Sequence, residues 1–599
     1  MEWWVTDCHQ PCKIHGHFDI GNLDNIPIFD PIFQYSSFPT ALNDMLTHPD
    51  GVKPKPGPLG PDSFLNDIET PRTDMKVNPI LLEVFKNRFA SISEEMGVAL
   101  TRTAFSPNIK ERRDLSCAVF DQTGDLIAQA AHIPVHLGSM PMSVKAAIER
   151  VALQKGDMAI LNDPFKGGTH LPDITLVAPV FAEDETPAFF VANRAHHADV
   201  GGMSSGSMPL STSIFQEGVI IPPLKLVENG SIDQKIMDFL LNNVRTPVER
   251  EGDFAAQIMA NITGVRRTEE LIGKYGLGTV RLYAGSLMEY AERLTRMTIQ
   301  AIPDGIYEFE DFMDDDGISD QRIAIRVKIT IREDAAILDF SRSDPQVQGS
   351  VNAVYAITLS AVLYVFRSLV SQDIPTNAGC LRPIKVLTKK GTVVDALFPA
   401  AVAGGNVELS QRIVDVVMGA LSCAIPETTP AASQGTMNNV TVGGMDSRKG
   451  QPFAYYETIG GGMGASAGCN GESAVHCHMT NTLNTPVEAL EYSYPFLVTE
   501  YSVRRGTGGN GRYIGGDGIV REIELLSDAE VTVLSERRKI PPYGLFGGAP
   551  GALGKNLLIR NGAVEEKRGK FSEPFKKGDR LRIETPGGGG YGHPESNLI

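Results

Sequence analysis

A chain of 599 residues, 42% hydrophobic and 21% charged, is long enough for more than one packed unit and has an ordinary globular balance. Its formal net charge of −17 and pI near 5.3 leave no basic face for neutralising phosphates, which excludes nucleic acid and an anionic membrane surface as partners. Seven scattered cysteines do not read as a disulfide framework, and the opening Met-Glu-Trp-Trp lacks the basic segment and apolar core of a secretory signal, so a reducing cytoplasm is expected.

Residues 1–75 carry few periodic apolar runs and end near Lys53-Pro-Lys-Pro-Gly-Pro-Leu-Gly-Pro61, which builds no regular element; they read as an extension and linker. Cys8, Cys12, His15 and His17 offer a zinc clasp, but their spacing matches no standard finger, and an extended arm is the stronger reading. Asn78-Pro79 then opens an amphipathic helix with Leu82, Phe85, Phe89, Ile92 and Met96 on its apolar stripe. Asp121-Gln-Thr-Gly124 is a hairpin turn. His132 and His136 bracket Ile-Pro-Val, either near substrate or as satisfied polar residues of a tight loop. Ser143 to Leu153 is helical.

The chemistry concentrates between Gly167 and Gly202. Ile174–Phe181 and Pro187–His197 are apolar and β-branched, so His170-Leu-Pro172-Asp173 and His196-His197-Ala-Asp199 fall at the ends of two strands that share one site. His170, His196 and His197 with Asp173 and Asp199, in a chain with 12 His, favour a divalent ion over incidental loop polarity. Imidazole with carboxylate suits Zn, Mn or Fe(II) rather than Ca or Mg. Strand alternation sends His196 and His197 to opposite faces, so one of them ligates; His196 is favoured, leaving His197 as neighbour or proton-transfer group. Pro209–Glu217 and Ile220–Pro223 form a loop over the site, and Glu217 is either a base or substrate contact or a surface carboxylate.

Residues 232–301 pattern as a helical insert, in which Asn243 and Arg245 offer polar contacts to a carbonyl or phosphate. Six acids between Glu308 and Asp316 lack the spacing of a calcium loop and are expected at a solvated hairpin end. Ile323–Phe340 alternates as a hairpin, followed by helices at Asn352–Val370 and Leu409–Ala424, with glycine-rich loops between them at 373–379 and 403–408. The uncharged stretch Pro345–Phe366 reaches membrane-spanning length, but its polar content marks a buried core helix, so no membrane span is expected. Glu457–Gly471 holds six glycines without the Gly-Lys-Ser/Thr of a nucleotide loop; its amides either bind an oxyanion or close a packed turn. His476, His478, Asn481 and Asn484 follow as hydrogen-bonding side chains, and short strands lead to Thr585-Pro-Gly-Gly-Gly-Gly-Tyr591. The fold expected is mixed α/β: two intimately packed lobes at about 76–340 and 341–599, with mixed sheets, the helical insert and a β-rich C-terminal part.

The runs Glu111-Arg-Arg-Asp114, His132-Ile-Pro-Val-His136, Asn162-Asp-Pro-Phe-Lys-Gly-Gly-Thr-His170-Leu-Pro-Asp173 and His196-His197-Ala-Asp199-Val-Gly-Gly resemble the hydantoinase B/oxoprolinase family. Asn243-Val-Arg245-Thr-Pro, Glu457-Thr-Ile-Gly-Gly461-Gly, His476-Cys-His-Met-Thr-Asn481 and Pro586-Gly-Gly-Gly-Gly-Tyr extend the likeness from about 76 to 593. The resemblance implies a B-type subunit of an ATP-dependent cyclic amide hydrolase acting on a hydantoin, 5-oxoproline or lactam, or the matching subunit of an acetone- or acetophenone-type ketone carboxylase. It implies metal ligands at Asp114, His170, Asp173 and His196 or His197, and ATP on an A-type partner subunit in a hetero-oligomer. In that setting His197 or Asp199 acts as general base or orients an imidazole, and His132, His136, Asn243, Arg245, Glu457, Gly461, His476 and Asn481 are the candidate substrate contacts. A non-catalytic assembly subunit is the reading of a different class.

Overall fold

The Asn78 side chain accepts the Ile80 N–H, and Pro79 occupies the first turn, so the first helix of this computed structural model starts where the sequence caps it, at Pro79, and runs to Thr103. The structure describes residues 77–130 and 133–594. The extension, its Cys/His cluster and His132 lie outside them.

Phe85, Phe89, Ile92 and Met96 are buried, packing the helix against Pro247–Tyr275 and against a seven-stranded sheet. Its strands are β1 (Leu115–Asp121), β2 (Leu126–Gln129), β3 (Met158–Leu161), β4 (Asp173–Phe181), β5 (Pro187–His196), β6 (Leu224–Glu228) and β7 (Ser231–Ile232), ordered β2-β1-β5-β4-β3-β6-β7. Cys117, Val119, Leu176 and Val191 face the core shared with the two long helices. Ala118, Phe120, Val177 and Ala192 face the helix Ser139–Arg150. With both faces covered, β4 and β5 need apolar residues at successive positions, which is the continuous pattern their sequences carry.

Helices at Gln234–Leu241, Pro247–Tyr275 and Leu277–Gln300 occupy the stretch that patterns as helical. Next come β8 (Gly305–Met313), β9 (Ile323–Arg332), β10 (Ala335–Asp339) and β11 (Ile384–Leu387), a sheet ordered β11-β10-β9-β8. The uncharged stretch ends in the helix Tyr355–Leu369, which is buried along most of its length. No helix among the described residues is long and apolar enough to cross a membrane.

The C-terminal strands are β12 (Asn439–Asp446), β13 (Gln451–Glu457), β14 (Phe496–Arg504), β15 (Gly518–Leu525), β16 (Ala529–Leu534), β17 (Lys555–Arg560), β18 (Ala563–Lys567), β19 (Lys570–Phe575) and β20 (Arg580–Glu584). They form two sheets, β13-β12-β16-β19 and β14-β15-β20-β17-β18. The fold is mixed α/β with a β-rich C-terminal region, and one hydrophobic cluster runs from Phe85 to Leu534, across residue 340.

One expectation is corrected, and one pair of alternatives is decided. The acidic run is solvated only at Glu308 and Glu310; its end is not, because Asp311, Asp314, Asp315 and Asp316 are buried. Asp314 accepts the backbone N–H groups of Arg538 and Ile540, and Lys539 reaches Asp315 at 2.7 Å, so distant cations and amides replace water. Of the two readings of Glu457–Gly471, the packed turn is the one found. The Gly461, Gly462 and Ala465 N–H groups bond to Val475, Pro586 and Gly589 carbonyls, and a Cβ on Gly462 would lie 2.0 Å from the Gly516 carbonyl oxygen. The glycines there permit backbone-on-backbone packing.

Candidate metal centre

Gly167 adopts φ +94°, and a Cβ there would sit 2.6 Å from the Met142 carbonyl oxygen, so the turn before His170 requires glycine. Two residues after His170, Pro172 ends the turn and β4 begins at Asp173. Antiparallel register sets Asp173 directly opposite His196, the last residue of β5, so both side chains leave the same face of the sheet. His170 Nε2 and His196 Nδ1 stand 3.1 and 3.2 Å from Asp173 Oδ1. All three residues are buried, with ligand atoms within 4.8 Å of one another.

Asp173 Oδ2 is held by Thr169 Oγ1 at 2.5 Å and His136 Nε2 at 3.2 Å; the other His136 nitrogen meets Ser116 Oγ at 2.8 Å. The His196 ring stacks on Tyr456 of β13, centroids 4.3 Å apart, and the Arg112 guanidinium lies over the same tyrosine. Burial lowers the His136 and His196 imidazoles from their ordinary pKa, which favours the form with a lone pair to offer. Burial pushes the Asp173 carboxyl up, but the His170 and His136 imidazoles outweigh it and hold the group well below the usual carboxylate range. A buried carboxylate beside two imidazoles is a donor set for a divalent cation, and two-nitrogen, one-oxygen chemistry fits Zn, Mn or Fe(II).

The other candidate residues distribute around this cluster. Asp114 is buried and its backbone carbonyl accepts the His196 N–H at 3.0 Å, but its carboxylate is not among the three converging ligand groups. His197 faces the opposite side of the sheet, where its Nε2 meets Gln257 Oε1 at 2.9 Å, its ring packs on Phe254 and burial pushes it down to about 4. Asp199 accepts the Arg245 backbone N–H and pairs with its guanidinium at 3.0 Å, closing a loop away from the cluster; neighbouring Asn243 is exposed. Glu217 is buried, its carboxyl pushed up to about 7 by burial. Its Oε1 accepts Ser211 Oγ and the Val402 and Ala403 N–H groups.

Glu457 is clamped by Arg521 at 2.7 Å, Asn484 Nδ2 and the Thr485 N–H. His476 is partly buried against Asn484 and desolvation pushes it down to about 4, Asn481 is exposed, and a Cβ on Gly461 would strike the Gln434 side chain. The structure thus brings His136 to the metal cluster, while His197, Asp199, Arg245, Glu457, Gly461 and His476 meet other partners and Asn243 and Asn481 are exposed. Sequence reasoning did not single out Tyr456 or Asn406. Asn406 Nδ2 lies 3.0 Å from His170 Nε2, and its one signal was the glycine pair before it.

The family model described as hydantoinase B/oxoprolinase matches residues 78–594. An uncharacterised protein of Methanocaldococcus jannaschii is 42% identical over 532 residues, covering 87% of this chain and 92% of its own. The 5-oxoprolinase of Dictyostelium discoideum is 41% identical over 530 residues, covering 87% of this chain, which spans only 41% of that longer protein. Among solved structures, the ATP-dependent caprolactamase from Pseudomonas jessenii superposes with a TM-score of 0.80 at 29% identity, over 86% of this chain and 91% of the other. With a match over nearly all its described residues and relatives above 40% identity, the chain belongs to the hydantoinase B/oxoprolinase family.

Proposed function

We propose that this chain is the metal-bearing, B-type subunit of an ATP-dependent cyclic amide hydrolase, opening a hydantoin, 5-oxoproline or lactam ring with an A-type, ATP-binding partner in a hetero-oligomer. The buried His170, Asp173 and His196 donor set carries this reading. Relatives named 5-oxoprolinase and ATP-dependent caprolactamase support the substrate class. Asp114 is the proposed further ligand.

A ring amide is resonance-stabilised, so phosphorylation of its carbonyl oxygen by ATP on the partner makes the carbon attackable. Water adds there, the C–N bond breaks as the ring nitrogen takes a proton, and a second water releases phosphate from the acyl phosphate to leave a carboxylate. A divalent ion in this donor set supplies Lewis acidity and lowers the pKa of water. The chain's own residues keep that set in place: Thr169 and His136 fix the Asp173 carboxylate, and Tyr456 fixes the His196 ring by stacking. His197 and Asp199, engaged by Gln257 and Arg245, take no proton role in this reading.

The test reconstitutes the complex and measures ATP turnover over 5-oxoproline, hydantoin, caprolactam and simple ketones, with and without bicarbonate. Bicarbonate-independent turnover with a cyclic amide, lost in a His170→Ala complex that still assembles, is the expected result. Bicarbonate-dependent turnover with a ketone would make it a carboxylase instead, and full activity of His170→Ala would leave an assembly subunit.

A further inference from the structure

A segment more than 200 residues along the chain reaches the centre, and several contacts hold it there. Glu217 Oε1 accepts the Val402 and Ala403 N–H groups at 2.8 and 3.0 Å, and the Asn352 amide holds the Ala401 carbonyl at 3.0 Å. Gly405 then presses so closely on the Asn352 backbone that a Cβ would lie 1.9 Å from its carbonyl oxygen. The chain continues as a π-helical turn, Gly405–Leu409, a rare geometry that recurs at functional sites. This arrangement delivers Asn406, which is 4% exposed. Its Nδ2 donates to His170 Nε2 at 3.0 Å and lies 3.5 Å from Asp173 Oδ2, while its Oδ1 is buried without a partner.

One lone pair serves one partner. His170 Nε2 belongs to the converging donor set, so a cation held there takes the electron pair that Asn406 now meets and frees one amide N–H inside a buried polar site. We propose that Asn406 is a catalytic residue whose side-chain amide donates a hydrogen bond to the oxygen carried by the reacting carbon, and that Glu217 is the positioning residue holding the 401–406 loop. This rests on the cyclic amide reading above. Negative charge collects on that oxygen as the second water adds to the acyl phosphate, and a donor fixed beforehand stabilises it without reorganising.

The test loads the full chain with Co(II) and follows its visible absorption while acetohydroxamate, a small oxygen-anion ligand, is titrated in. Asn406→Ala and the isosteric Asn406→Asp keep one Co(II) per chain but bind acetohydroxamate about tenfold to a hundredfold more weakly, the size of a hydrogen bond to a charged group. Glu217→Ala weakens it similarly, and Glu217→Gln, whose amide oxygen still accepts both backbone N–H groups, restores it. In the reconstituted complex Asn406→Ala lowers kcat about 10²- to 10³-fold at unchanged metal content. Equal acetohydroxamate affinity in wild type and both Asn406 variants overturns the proposal, as does loss of Co(II) from either. Glu217→Gln as damaged as Glu217→Ala removes the positioning role and gives Glu217 a proton. A wild-type chain that takes up no Co(II) defeats the metal reading itself, and the proposal with it.

Discussion

Asp173 has more partners in the cluster than any other side chain: two imidazoles converge on one of its oxygens, and Thr169 and His136 hold the other. Asp173→Asn is therefore expected to abolish ion binding, whereas His136→Ala, which removes only a support, weakens affinity about 10- to 100-fold; isothermal titration with Zn(II) or Mn(II) distinguishes the two. His476 gives a pH effect away from the cluster. Burial pushes it down to about 4, so between about pH 6.5 and 4 the unfolded chain binds a proton that the folded chain refuses. Stability is thus unaffected by His476 above about 6.5 and falls by up to about 1.4 kcal/mol per pH unit below it. Thermal midpoints from pH 7.5 to 4.5 should show a shallower fall in His476→Gln than in wild type.

At the scale of elements, the centre depends on the β4/β5 register and on the π-helical turn. Both strands were legible, because residues buried on two faces write an unbroken apolar run, and alternation separated His196 from His197. The 401–406 loop was legible only as glycine-rich, since its contact with His170 spans 236 positions and no local pattern encodes it. The acidic run was misread for the same reason: Asp315 finds Lys539 from 224 positions away. Gly405→Ala forces a Cβ against the Asn352 carbonyl, and overpacking of this kind costs about 1–3 kcal/mol. A lowered thermal midpoint with weaker Co(II) binding is the expected pair of results, checked by scanning fluorimetry and absorption.

Across the whole molecule, the β8 edge, the helix Ser410–Ser422 and the segment after β16 meet through a buried ionic network as well as through the hydrophobic cluster. Arg537 Nη2 lies 2.7 Å from Asp311 and 2.6 Å from Asp415, and Lys570 pairs with Glu536, all buried. Removing one partner of such a network strands the other charges, at about 3–5 kcal/mol. Arg537→Ala should therefore unfold at markedly lower temperature or denaturant concentration than wild type, while Lys576→Ala, whose pair with Asp528 is exposed on both sides, should change little. The sequence carried the mixed α/β class and the family likeness across this whole assembly. It did not carry which charges meet, because those pairs close only once the sheets have packed.

The most direct measurement is the metal content of the chain purified without chelators, read by inductively coupled plasma mass spectrometry beside His170→Ala, Asp173→Asn and His196→Ala proteins of unchanged circular dichroism. The account predicts about one divalent transition ion per wild-type chain and almost none in the variants. A wild-type chain free of metal that also fails to take up added Zn(II), Mn(II) or Fe(II), or variants that retain the ion in full, would contradict it.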